Sequence, residues 1–188
     1  MGISKRIAEA IDRMCAGDAE SALIPACIAV AATSHQVYPT KSDNQSYKDW
    51  LHDNLALITR VGMGNVSIAN FYLKYKHPDL KPDNNDYCSL EQILYHVVRC
   101  GLIHNAELPS TIKFTSEGVI KIDNDGILTL GSSLIYGLIV AVIVCPVNAG
   151  GKIPADYSII VAGKTLPLNR LWGNKATLFN LLEANETV

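Results

Sequence analysis

The chain has 188 residues, of which 48% are apolar and 18% charged, and its formal net charge at pH 7 is −2. This composition excludes a disordered chain and is sufficient for one domain with a full hydrophobic core. The near-neutral charge argues against a protein that coats nucleic acid through a broad basic surface. Because so few charged residues stand beside so many apolar ones, we expect a partner, such as a second copy of the chain, to cover some apolar surface.

The cysteines and the apolar segments indicate the compartment. Five cysteines are scattered along the chain without a Cys-x-x-Cys pair, which predicts reduced and mostly buried thiols rather than disulfides or a structural zinc site. The first residues, "MGISKRIAEAIDRM", lack the apolar core of a signal peptide. The longest apolar run, residues 134–147, is too short to span a bilayer. We therefore expect a cytoplasmic protein with no membrane contact.

Helices are predicted along the first third of the chain. Residues 4–17 carry an apolar stripe with helical spacing, and residues 19–38 form an almost uncharged helix that belongs in the core. Residues 39–46 are polar and predict a loop. Residues 47–62 place apolar side chains along one side and end at a glycine, which is typical of a third helix.

The middle of the chain contains one clear helix. Residues 65–76 are compatible with a helix or a strand, and residues 77–88, with two prolines, predict a loop. Ser89 is suited to the N-cap position of a helix that extends to about Asn105. Pro109 prevents this helix from continuing much further, because the residue before a proline disfavours the helical conformation.

The last third mixes β-strands and helices. Residues 111–130 alternate apolar and polar side chains around the turn signals "SEG" and "NDG", which predicts a β-hairpin insertion of two or three short antiparallel strands. Residues 133–145 predict an apolar helix, residues 155–173 a second hairpin, and residues 175–185 a closing helix. The fold class expected for residues 1–188 is therefore a single, mainly α domain, a helical bundle with small antiparallel β-hairpin additions.

Two segments imitate ligand-binding motifs. Residues 158–165, "SIIVAGKT", end like a phosphate-binding P-loop, but a serine stands where the first glycine is required, and no helix pattern follows. Residues 122–126, "IDNDG", hint at a calcium loop whose first and last positions would lack carboxylates. We predict a turn in both places.

The helix after Ser89 concentrates reactive side chains. His96, Cys100 and His104 are spaced four residues apart, so they form one ladder along a helix face and would be a partial metal site. No second pair of ligands is evident, and a Cys–His nucleophilic pair would lack an orienting carboxylate. We therefore predict no metal and no cofactor, while a Cys/His metal site stays open as a third hypothesis.

Arg99 and His104 form the pattern Arg-x4-His near the end of the same helix. The arginine fork suits a phosphate, and a histidine can transfer protons near neutral pH. In an ideal helix the two positions lie ~140° apart around the axis and about 7.5 Å apart along it. The pair would therefore converge through the length of the arginine, through a distortion near Gly101, or across a two-fold axis with a second chain. The alternative is an arginine in a surface ion pair and a histidine that stabilises the helix C-terminus.

The segment "LYHVVRCGLIHNAE" resembles the signature helix of the HEPN superfamily of helical domains, whose hallmark is Arg-x4–6-His near the end of a late helix. The matching residues are Arg99 and His104, with Tyr95 before them and Asn105 after. Many HEPN domains have Asn, Asp or His directly after the arginine, where this chain has Cys100. The specific match covers about fifteen residues, and roughly two-thirds of the chain is compatible with the bundle architecture.

The resemblance implies a function. HEPN domains are commonly metal-independent endoribonucleases of prokaryotic toxin–antitoxin or phage-defence systems, and they dimerise so that two motifs face each other. By this resemblance Arg99 and His104 are the catalytic candidates, and Asn105, Cys100, Tyr95 and His96 support them. A homodimer, RNA and an antitoxin protein are the implied partners. The alternative is a non-catalytic dimeric domain that binds RNA or nucleotides, or serves as a scaffold, and keeps the motif for structure.

Overall fold

The computed structural model describes residues 2–64, 66–105, 108–154, 157–161 and 163–183, with only the backbone described for residues 103–105. Three helices come first: α1 (Ile3–Cys15), α2 (Ala19–Val37) and α3 (Asp43–Gly62). They confirm the three predicted helices. The polar segment 39–46 is a shorter loop than predicted, because the Ser42 side chain accepts a hydrogen bond from the Gln45 backbone and so starts α3 within that segment.

The apolar helix α6 (Ser133–Val144) lies in the centre of the described core and packs against α2 and α3. Two glycines allow α3 and α6 to approach closely. A Cβ atom on Gly62 would lie 2.8 Å from the Leu134 Cα atom, and one on Gly137 would collide with the backbone of Ile58. The Ser133 hydroxyl also donates a hydrogen bond to the Gly62 carbonyl, which ties the start of α6 to the end of α3.

The helix predicted after Ser89 is present and has three parts: α4 (Leu90–Ile93), a π-helical segment (Leu94–Arg99) and α5 (Cys100–Asn105). Together they form one continuous helix, residues 90–105, which we call the motif helix. Two of the described residues in the ambiguous segment before it form a strand. This strand, β1 (Tyr72–Leu73), pairs antiparallel with β2 (Cys88–Ser89).

The predicted β insertion is a three-stranded sheet, but its topology differs from the prediction. Its strands are β3 (Ile112–Thr115), β4 (Ile120–Ile122) and β5 (Leu128–Gly131), in the order β3-β5-β4. The β4–β5 pair is antiparallel as predicted, whereas β3 and β5 are parallel, so a purely antiparallel insertion was wrong. The alternation of apolar residues locates the strands but does not determine which edge the next strand joins. Here the buried strand β5 lies between the other two and pairs with both.

The C-terminal part follows the prediction closely. A short 3₁₀ helix (Pro146–Asn148) leads towards the hairpin of β6 (Ser158–Val161) and β7 (Lys164–Pro167), and a second 3₁₀ helix (Leu168–Arg170) precedes α7 (Lys175–Glu183). Gly163 lies in the hairpin turn with φ +76°, and Lys164 and Thr165 begin β7, so the described residues of this motif form a turn and a strand. The last residues of the predicted closing helix, 184 and 185, lie outside the described part of the chain.

The described structure is therefore mainly α-helical with small β-sheets. Within the described residues, no helix is both long enough and apolar enough to cross a membrane.

Candidate functional site

The motif helix begins at a well-formed N-cap. The Ser89 hydroxyl accepts a hydrogen bond from the Gln92 backbone N–H at 3.3 Å, and the Gln92 side chain accepts one from the Ser89 N–H at 2.9 Å. This reciprocal pair satisfies backbone donors that the first helical turn leaves open. The buried side chains of Leu90 and Ile93 then anchor the first turn in the core. The start of the helix is thus fixed by the chain's own local chemistry.

The π-helical segment holds three of the predicted site residues, Tyr95, His96 and Arg99. Short π segments inside α-helices are rare and occur frequently at functional sites. The distortion ends at Arg99 itself and does not lie near Gly101. Four of the five steps from Arg99 to His104 lie in α5, so α-helical geometry keeps the two positions ~140° apart.

A cluster of three aromatic rings lies beside Arg99. The rings of Tyr47 and Tyr95 meet edge to face with centroids 5.3 Å apart, and the His96 ring meets Tyr95 at 4.9 Å in the same manner. Tyr47 comes from α3 and is buried, as is Tyr95. Edge-to-face contacts of this kind favour one ring orientation over others. The ring of Tyr95 is consequently held in place under the side chain of Arg99.

Arg99 is half-buried and held without an ion pair. Its guanidinium lies 5.2 Å from the centroid of the Tyr95 ring, and one terminal N–H donates to the Cys100 sulfur at 3.8 Å. The Nε atom is buried and has no hydrogen-bond partner among the described residues. No carboxylate within the described ranges forms a salt bridge with it. A cation–π contact and a hydrogen bond to a thiol stabilise the guanidinium charge far less than an ion pair with a carboxylate would.

Three groups near Arg99 are uncharged at pH 7. Burial raises the pKa of the Cys27 thiol to about 11, although a hydrogen bond with Tyr47 opposes the shift. Burial also raises the pKa of Tyr47 well above its ordinary value and, more moderately, that of Tyr95. None of these three groups can therefore supply a negative charge near neutral pH. The positive charge of Arg99 remains uncompensated by its described neighbours.

The structure brings together most of the predicted site residues. Tyr95, His96, Cys100 and Arg99 lie on one stretch of the motif helix and contact one another in sequence. Burial lowers the pKa of His96, and the nearby charges of two lysines lower it further. The backbone of His104 and Asn105 belongs to α5, but their side chains lie outside the described part of the structure.

The metal hypothesis gains no support from the described residues. No group of three or more His, Cys, Asp or Glu side chains is arranged there to hold a metal ion. The ladder of His96, Cys100 and His104 includes a side chain outside the described set, so that arrangement stays a hypothesis. The cysteines that the structure describes are free thiols, and three of the five are buried, as predicted.

A cleft beside the motif helix was not predicted from the sequence. His52 of α3 and Glu91 of α4 meet there, with the imidazole Nδ1 atom 3.0 Å from a Glu91 carboxylate oxygen. The two residues are 39 positions apart, so no local pattern could reveal the contact. The only signal was the spacing of Lys48 and His52, which is four residues and places both on one face of α3.

The chain is similar to proteins of one known family. A family model described as Rv1289 matches residues 2–188. The chain belongs to the Rv1289 family. The uncharacterized protein Rv1289 of Mycobacterium tuberculosis (strain H37Rv) is 26% identical over 163 residues, which cover 81% of this chain and 74% of that protein. The uncharacterized protein Mb1320 of Mycobacterium bovis gives the same values. No solved structure matches the chain.

The Rv1289 family name specifies no activity, and the match does not bear on the resemblance to HEPN domains. Function must therefore be argued from the site itself.

Proposed function

We propose that this member of the Rv1289 family is a metal-independent endoribonuclease of HEPN type that acts as a homodimer in a prokaryotic toxin or defence system. The observation that supports the proposal is the uncompensated charge of Arg99. A half-buried guanidinium with neutral neighbours and an orphaned Nε atom is costly to keep unless an anion binds there. A phosphodiester is an anion that matches the arginine fork.

In the proposed reaction the 2′-oxygen of a ribose attacks the adjacent phosphorus, and the bond from phosphorus to the 5′-oxygen breaks. The products are a 2′,3′-cyclic phosphate and a 5′-hydroxyl. Arg99 stabilises the negative charge that develops on the phosphate oxygens. His104 handles the proton that the 2′-hydroxyl loses and the leaving oxygen gains, because an imidazole can both accept and donate a proton.

A second copy of the chain completes the proposed site. The ~140° between the two positions on the motif helix makes it difficult for Arg99 and His104 of one chain to reach the same phosphate. A two-fold axis beside the helix would place Arg99 of one protomer against His104 of the other. The high apolar fraction and low charge of the sequence are consistent with a covered dimer surface.

The second candidate function is a non-catalytic dimeric domain that binds RNA or nucleotides, or serves as a scaffold. Two observations favour it: the net charge of −2, and the thiol of Cys100 packed directly against the guanidinium in place of a polar residue. In this alternative Arg99 binds a phosphate but no bond is cleaved.

The test is RNA cleavage by the purified protein in the presence of excess EDTA, with analysis of the product ends. We expect 2′,3′-cyclic phosphate ends, and a loss of rate of about 10²–10⁴-fold in His104→Ala. The matched control is His35→Ala, which removes an exposed histidine at the end of α2 and should leave the rate unchanged. Binding of RNA without cleavage would favour the second candidate. If the protein neither binds nor cleaves RNA, the proposal is refuted.

A further inference from the structure

A cleft of about 420 Å³ lies between α3, the loop 77–88 and the first turn of the motif helix. Its volume falls within the range typical of small-molecule sites. It is lined by charged, aromatic and amide side chains. The motif helix contributes Glu91 and Gln92 to the lining but neither Arg99 nor His104. This cleft therefore calls for an explanation independent of the proposed nuclease site.

Two of the carboxylates in the cleft are already occupied by the chain itself. Asp49 accepts hydrogen bonds from Lys41 at 2.6 Å and from Gln45 at 2.6 Å. Asp83 accepts two backbone N–H groups, from residues 85 and 87, each at 2.9 Å, and so shapes the loop. These hydrogen bonds satisfy the two carboxylates internally.

The third carboxylate orients a histidine. Glu91 has a side chain only 6% exposed, and its partner His52 is 56% exposed. Since an ionised carboxylate only accepts hydrogen bonds, the Nδ1 atom of His52 must donate to it. In the neutral imidazole the Nε2 atom then carries the lone pair and can accept a hydrogen bond from a hydroxyl group. The cleft thus contains an oriented acceptor on a fixed ring.

The cleft also contains two lysines. Lys48 and Lys81 both line it, and neither forms an ion pair with any residue that the structure describes. Both also lower the pKa of His96, after the larger effect of burial, while the charge of Asp79 raises it. Two ammonium groups that line one cleft and form no direct ion pair favour an anionic ligand such as a phosphate group.

Aromatic faces complete the cleft. Tyr72 is 57% exposed and Tyr87 is 38% exposed, which is unusual for large side chains in a protein with an extensive core. The ammonium of Lys74 lies 5.0 Å from the centroid of the Tyr87 ring, which leaves Tyr72 as the better exposed platform. Exposed tyrosine rings are suited to stacking against a planar ring of a ligand.

We propose that this cleft binds a small phosphate ester that carries a planar ring, of the size of a mononucleotide. Lys48 and Lys81 hold the phosphate, and Tyr72 stacks on the ring. His52, oriented by Glu91, accepts a hydrogen bond from a hydroxyl of the group that joins ring and phosphate. The site does not depend on the nuclease proposal, because no residue of the Arg99–His104 pair contributes to it.

The test is isothermal titration calorimetry of the 188-residue chain with AMP, adenosine and ribose 5-phosphate as probes. AMP contains both halves of the proposed ligand, whereas adenosine lacks the phosphate and ribose 5-phosphate lacks the ring. We expect AMP to bind at least about tenfold more tightly than either, since each half contributes contacts of its own. Equal affinity for AMP and one of the halves, or no binding of AMP up to millimolar concentration, would overturn the proposal.

Variants assign the two halves to their residues. Lys48→Gln should weaken AMP and ribose 5-phosphate about tenfold and leave adenosine unchanged. Tyr72→Leu should weaken AMP and adenosine at least about fivefold and leave ribose 5-phosphate unchanged. The matched control is Lys121→Gln, which removes an exposed lysine on β4 away from the cleft. The same loss in Lys121→Gln as in Lys48→Gln would contradict the assignment, as would tighter binding of an RNA oligonucleotide than of AMP at the cleft.

Discussion

Gly137 is the position where one methyl group should disturb the core most clearly. It lies in α6 where that helix crosses α3, and an added Cβ would collide with the carbonyl oxygen of Ile58. The same Cβ would lie 3.0 Å from the carbonyl carbon and 3.1 Å from the Cα atom of Ile58. All of these are backbone atoms, which cannot move away as a flexible side chain could. Gly137→Ala therefore requires α3 and α6 to separate.

The magnitude follows from these distances. Carbon atoms pack best at about 3.5–4.0 Å, so the carbon contacts alone require the helices to move apart by roughly 0.5–1 Å, and the closer contact with the carbonyl oxygen requires more. Overpacking of this kind costs about 1–3 kcal/mol, and a backbone clash belongs at the upper end. Alanine regains about 1 kcal/mol of helix propensity relative to glycine. The expected net loss is about 2 kcal/mol, or roughly 4–8 °C in the melting temperature of a chain of this size.

The assay is urea unfolding of Gly137→Ala followed by far-UV circular dichroism. The control is Gly150→Ala, because a Cβ there would meet no atom within 4 Å and its backbone does not require glycine. We expect the control to change the free energy of unfolding by less than about 0.5 kcal/mol. Unchanged or increased stability of Gly137→Ala would refute the close crossing of α3 and α6.

Further predictions concern buried polar groups and the motif helix. The buried Asn148 side chain donates to the Thr33 hydroxyl at 3.0 Å and to the Val142 carbonyl at 2.8 Å, so Asn148→Ala should cost about 2 kcal/mol in urea unfolding. A loss below about 0.5 kcal/mol would contradict this. Burial raises the pKa of the Cys27 thiol from its ordinary 9.0 to about 11 in the folded protein. The protonated thiol therefore makes its full contribution to the free energy of unfolding below pH 9. Stability should fall between pH 9 and 11 by up to about 1.4 kcal/mol per pH unit, and Cys27→Ala should make that fall shallower. An identical slope in wild type and variant would count against it. Ser89→Ala removes the N-cap of the motif helix and should cost about 1 kcal/mol, measured by thermal melting, and an unchanged melting temperature would argue against the cap.

Local chemistry made the helices and their caps predictable. Ser89 and the glycine that ends α3 are signals that depend on a few neighbouring residues, so their effects can be inferred without the rest of the chain. The alternation in residues 111–130 likewise located strands. It could not show that β5 pairs parallel with β3, because strand order depends on contacts between residues far apart in sequence.

The candidate site divides in the same way. Arg99 and the residues around it on the motif helix could be selected from their spacing. Its support by Tyr47 could not, since the two lie on helices separated by a loop and two short strands. The π-helical segment could not be predicted either, because the sequence "LYHVVR" has the spacing of an ordinary helix. The contact of His52 with Glu91 is a tertiary contact of the same kind.

In the proposed function the uncompensated guanidinium of Arg99 binds the phosphate of an RNA substrate. The most direct test is the single-turnover rate of RNA cleavage in EDTA for the wild type, Arg99→Lys and Arg99→Ala, with thermal melting to verify that each variant is folded. We predict a loss of about 10²–10³-fold in Arg99→Ala and an intermediate rate in Arg99→Lys, which keeps the charge but not the planar fork. Cleavage by folded Arg99→Ala at the wild-type rate would contradict the proposed role of Arg99 in binding the phosphate.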